Sequence, residues 1–178
     1  MTAYSVTPTL QANVYPALVA LIINVTGLPA SNVVQGLANR TSMPLPGFVE
    51  VQGLFDSRLR TNIDTYDQTN PAPTTKTLEQ GLKLTVQIDC FGPQSHDWAN
   101  MLSTILRDEE GCIALAPSCQ PLYADEARMI PLVAGEEQWE ERWMVEANLQ
   151  MNPVVTAPQQ YADALELTLI NVPEKFPT

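Results

Sequence analysis

The chain has one histidine, three cysteines and nine basic residues in 178 positions, and each shortage removes a class of chemistry. A single histidine, His96, with no closely spaced cysteine pair does not supply the ligands of a usual zinc site. The acidic clusters Asp108-Glu109-Glu110, Asp125-Glu126 and Glu136-Glu137 lack the spacing of a calcium loop and read as solvated acidic loops. The glycines form neither a phosphate-binding loop nor a dinucleotide fingerprint, so no nucleotide cradle is expected. No cofactor and no metal is implied. There is no run of 18 apolar residues; the nearest, Tyr15 to Val25, is about half a membrane crossing and has no basic flank. It reads as a buried helix rather than a signal peptide, and no membrane association is expected. An odd cysteine count in a chain of this size favours free thiols and a reducing compartment over a disulfide between Cys112 and Cys119. Cys90 is placed on the dry face of a strand, and Cys112 and Cys119 in a loop.

The basic shortage is matched by an acidic excess. Nine Lys and Arg against twenty Asp and Glu give a net charge of −11. Such a surface repels phosphate backbones, which disfavours wrapping of nucleic acid. It suits a surface past which DNA must move without sticking.

What is present is alternation. In Val49 to Ile63, Val49, Val51, Phe55, Leu59 and Ile63 are placed on one face, with Glu50, Gln52, Asp56, Arg58, Arg60 and Asn62 on the other. In Leu78 to Cys90, Leu82, Leu84, Val86 and Ile88 oppose Lys83, Thr85, Gln87 and Asp89. The two stretches predict one long antiparallel hairpin, spanning 48–91, with a dry and a wet side. Its arms are about twice the usual strand length of 5–6 residues. A hairpin that long tends to reach past its own core toward another subunit. Residues 65–77, with Pro71 and Pro73, are its expected tip loop.

The remaining signals fit a single domain over residues 1–178, with 45 % hydrophobic residues and a core burying about 70 % of the unfolded surface. Leu18, Leu21, Ile22 and Val25 mark a helix ended by Gly27 and Pro29. Val33 to Arg40 reads as a short edge strand. Trp98, Met101, Leu102, Ile105 and Leu106 mark a second helix, closed by Asp108 to Gly111. Residues 112–135 are expected to be rich in loops, with a short strand at Arg128 to Val133. Strands are expected at Trp143 to Met151 and Leu165 to Leu169, joined through Pro153 to Pro158. The expected class is α+β: a mixed, mainly antiparallel sheet with two helices on one face.

Candidate contact residues follow from the long arms. Arg58 and Arg60 lie on the wet face, where Glu79 or Asp89 could pair with them across strands, or a neighbouring subunit could. Tyr66, Pro71 and Pro73 are candidate docking elements of the tip. Arg142, in Glu140-Glu141-Arg142-Trp143, is a candidate ion-pair partner for a carboxylate of a neighbour. A hydrolase using His96 needs a nucleophile converging from elsewhere. The simpler reading puts His96 and Asp97 in the first turn of a helix.

Several strings taken together resemble the neck or tail-terminator proteins of tailed bacteriophages, contractile ones especially. They are Thr26-Gly27-Leu28-Pro29, Asn39-Arg40 and the Leu45-Pro46 turn, then Ile88-Asp89-Cys90-Phe91-Gly92 and Glu141-Arg142-Trp143. The resemblance implies a structural virion protein, assembled in the host cytoplasm, that forms a homohexameric ring at the head–tail joint. The ring caps the tail tube, meets the head-side connector, with the sheath as a further expected partner, and passes DNA through its channel. A head-side stopper or a tube-associated component is the neighbouring alternative. The family carries over no catalytic residues.

Overall fold

The computed structural model describes residues 4–36, 44, 46–67, 75–134 and 138–158. They form an α+β fold of two main sheets. The larger sheet is built on β6 (Leu82–Phe91), which pairs antiparallel with β3 (Phe48–Arg58) on one side and β11 (Arg142–Met151) on the other. β2 (Val33–Gln35) lies parallel to β3 at one edge, where an edge strand is expected, and β7 (Gln120–Ala124) forms the other. β8 (Arg128–Met129) also pairs with β11. β9 (Leu132–Ala134) and β10 (Gln138–Glu140) form a separate antiparallel pair, so the strand expected at Arg128 to Val133 is broken in two.

Three helices cover the dry face of this sheet. The π-helical turn Leu10–Val14 starts at Thr9, whose hydroxyl accepts from the Ala12 N–H at 3.2 Å, and runs into α1 (Tyr15–Thr26). Pro16 sits in the first turn of α1, at its junction with the π-helical turn, and brings no N–H to the helical ladder there. Gly27 ends the helix at φ 71, and its N–H donates to the Ile23 carbonyl at 2.9 Å. A side chain is disfavoured in that left-handed conformation. Leu18, Leu21 and Ile22 are buried, as their spacing predicts.

α2 (Ser95–Ile105) buries Trp98, Ala99 and Leu102, but Met101 is exposed. Its stripe is therefore rotated toward Ala99 relative to the expected one. Asp108 does not close α2; it opens α3 (Glu109–Leu115), accepting from the Glu110 N–H at 3.4 Å. Glu109 and Glu110 then occupy the first turn, where negative charge complements the helix dipole. A run read as a solvated acidic loop is thus a helix start. Gly111 permits the sharp turn between the helices, because a Cβ there would run into the Ile105 carbonyl. No helix among the described residues is long and apolar enough to cross a membrane.

The helices pack over Val49, Val51, Leu84, Val86, Ile88, Cys90, Val145, Ala147 and Leu149, all with at most 1 % exposure. Each Val, Leu or Ile among them contributes roughly 1.5–3 kcal/mol on burial. All three cysteines are free. Burial pushes the Cys90 thiol up to about 12, with Asp89 adding to the effect, and the Cys119 thiol up to about 11. Cys112 lies in α3 rather than in a loop.

The long hairpin is present but not as one ribbon. Its register shifts between Gly53 and Phe55 opposite Val86 and Thr85, leaving Leu54 as an extra residue. Because side chains alternate, one extra residue moves everything after it to the other face. Phe55 therefore faces outward opposite Thr85 and is 56 % exposed, where the pattern predicted a dry position. Leu59 and Ile63 are likewise exposed.

A second break follows, where residues 59–62 stand against only 80–81, tied by the Leu59 N–H to the Gly81 carbonyl at 3.0 Å. Beyond it, β4 (Ile63–Asp67) and β5 (Thr75–Glu79) enter a second, four-stranded sheet with β12 (Val154–Pro158) and β1 (Ser5–Thr7). Its order is β1-β12-β5-β4, and every pairing is antiparallel. The expected connection at Pro153 to Pro158 is thus largely a strand. The tip loop is shorter than expected, since residues 65–67 pair with 75–77. The strand expected at Leu165 to Leu169 lies outside the described residues.

Candidate assembly surface

With the helices on one face, the opposite face of the larger sheet is polar. Its central feature is Asp89, only 3 % exposed, held by Arg142 in a two-pronged contact. Arg142 Nε donates to Oδ1 at 3.0 Å and Nη2 to Oδ2 at 2.9 Å, while Gln87 Nε2 donates to Oδ2 at 2.6 Å. The guanidinium also lies 5.6 Å from the Phe91 ring centre, and Phe91 stacks on Phe48 at 4.4 Å. Arg142 sits at the first position of β11, directly across from Phe91, so strand register alone brings it to Asp89. Beside this cluster, Thr85 Oγ1 donates to Asn148 Oδ1 at 2.9 Å, and both residues are buried.

The six predicted contact residues are scattered rather than gathered. Arg142 is engaged inside its own chain by Asp89, and so is Arg60, which forms an ion pair with Glu79 and folds its side chain over Gly81. Arg58 ends β3 opposite Leu82 and is exposed. Tyr66 is 48 % exposed on β4, with Lys76 Nζ 5.3 Å from its ring centre. Lys76 also pairs with Asp64 at 2.7 Å, and this hydrogen bond is the largest cause raising its pKa. Pro71 and Pro73 lie outside the described residues.

His96 stands on the first turn of α2, edge-on to Trp143 with ring centres 4.5 Å apart. Its Nδ1 is 3.2 Å from Asp97 and its Nε2 is 2.9 Å from Asn100. Among the described residues neither a serine nor a cysteine reaches the ring, so no nucleophile–base pair is assembled there. Nor do those residues hold a group of three His, Cys, Asp or Glu placed for a metal ion.

Sequence reasoning missed the second sheet's other two strands, β1 and β12. The signal was present in Ser5-Val6-Thr7 and Val154-Val155-Thr156, short runs rich in the β-branched Val and Thr that favour strands. They are too short to show alternation, and their partners are distant in sequence. The arrangement offers surfaces for association and no assembled reaction centre among the described residues. No curated protein matches the chain. Residues 9–174 of 178 match the model of the family described as phage neck terminator protein, and the chain belongs to that family.

Proposed function

We propose that this neck terminator is the subunit of a homohexameric ring that ends the tail tube and joins it to the head-side connector. Membership of the family over nearly the whole chain carries the reading. The structure supplies a physical basis: the outer half of the hairpin leaves the core and builds a second sheet, a platform for contacts with other chains. Each contact in a closed ring is repeated by symmetry, so modest individual interactions add to a stable assembly. Tail tube protein and connector meet the two ends of the ring, and the sheath joins them in a contractile tail. DNA transits the channel without specific binding, and the net charge of −11 keeps it from adhering. The protein works in the virion neck after assembly in the host cytoplasm.

The test is complementation of joining. A phage lacking this gene should accumulate separate heads and tails, and added purified protein should restore infectious particles. Mass measurement on isolated tails should show six copies per tail. Intact virions formed in the gene's absence would refute the role.

A further inference from the structure

The four-stranded sheet has two outer strands, β1 and β4, and neither has a partner on its outer side among the described residues. Such edges present unpaired backbone groups and are places where another chain adds on. The exposed large apolar side chains of this sheet are concentrated there. Tyr4, just before β1, is 74 % exposed and Val6 47 %; on β4, Ile63 is 46 % and Tyr66 48 % exposed. On the inner strands, Leu78, Val154 and Val155 are half-buried.

We propose that β4 of one copy pairs antiparallel with β1 of the next, running the four-stranded sheets of the ring into one continuous sheet. This deepens the ring reading above and rests on it. Three observations favour this occupant. First, four alternating strands leave β1 and β4 running in opposite directions, so a copy brought round by rotation offers β1 antiparallel to β4. Pairing of β4 with β4 would instead close a dimer and leave both β1 edges bare.

Second, the registers line up Ser5, Thr156, Thr77 and Thr65 in one row across the sheet, with a hydroxyl on every strand. Placing Ser5 of the next copy opposite Thr65 continues that row and keeps each face of the sheet matched. Third, the same register sets Tyr4 of the next copy opposite Tyr66, Val6 opposite Asp64 and Thr7 opposite Ile63. The exposed side chains of both edges then cover one another, and no like charges face each other.

The experiment is a disulfide between copies. Within one chain Tyr4 and Tyr66 lie at opposite edges of the sheet, roughly 14 Å apart from three strand spacings, beyond the reach of a disulfide. A bond in the double variant Tyr4→Cys/Tyr66→Cys can therefore join only different copies. Isolated tails carrying it should give, on mild oxidation, a ladder from dimer upward that reductant collapses to monomer. Each single variant should stay monomeric on the same gel. Both positions are exposed, so the fold is retained, which the urea unfolding midpoint checks. Six copies per tail with no ladder would overturn the edge pairing and leave the ring reading standing. No multimer on tails at all would overturn both. As a second probe, Val6→Asp places an acid opposite Asp64 of the next copy and should remove the protein from tails; unchanged occupancy would refute the register.

Discussion

Replacing Arg142 by Ala leaves the Asp89 carboxylate, 3 % exposed, without its cation. Breaking a buried ion pair from one side typically costs about 3–5 kcal/mol, because an uncompensated charge stays behind. Two features place this case near the lower end. The Arg142 side chain is 23 % exposed, so water reaches the gap, and Gln87 still donates to the carboxylate at 2.6 Å. The expected loss is therefore about 3 kcal/mol. With a urea slope of about 2 kcal/mol per molar, the unfolding midpoint should fall by roughly 1.5 M.

Urea unfolding followed by tryptophan fluorescence and by far-UV dichroism measures this, and coincident curves establish two-state behaviour. The double variant Asp89→Leu/Arg142→Met removes both charges and should be less destabilised than Arg142→Ala alone. A loss below about 1 kcal/mol for Arg142→Ala would match a solvent-exposed pair and refute the reasoning. The outcome also separates two roles for this residue. A large monomer defect makes its intrachain work primary, whereas a near-silent variant that fails to join tails makes it a contact residue.

Two further expectations follow from particular groups. The Cys90 thiol is raised from 9.0 to about 12 by burial, so above pH 9 the unfolded chain loses this proton and the folded one keeps it. Its stabilising effect is full below pH 9 and is lost as pH rises toward 12, so Cys90→Ala should flatten the alkaline fall in stability; an unchanged slope would contradict this. Asp108→Ala removes the side-chain cap of α3 and should cost about 1 kcal/mol in thermal or urea unfolding, with Asp108→Asn largely restoring it.

Legibility in the sequence followed how local each cause is. α1 could be read because its apolar spacing, Gly27 stop and Pro29 all lie within one short segment. The pairing of β3 with β6 could be read because both strands alternate and follow one another as the arms of one long hairpin, although β4 and β5 lie between them. The exposure of Phe55 could not, since the bulge at Leu54 depends on pairing with β6, and alternation carries no mark of an inserted residue. α3 was hidden because Asp108-Glu109-Glu110 serves equally as an acidic loop or a capped first turn; packing of Leu115 decides between them. Arg60 and Arg142 looked equally open to a neighbour or to a carboxylate of their own chain. The register of β6 against β11, and the break at residues 59–62, put those carboxylates within reach.

By itself the sequence determined the chemistry: an acidic chain, poor in histidine and cysteine, with alternating strands and two recognisable apolar helices. Those features are set by residue type and by spacing along a few turns. Tertiary structure alone decided that the hairpin divides between two sheets, that β1 and β12 complete the second, and that its exposed apolar side chains gather at the edges. Strand partners distant in the chain choose one another by the burial and hydrogen bonding they gain together, which no single segment encodes.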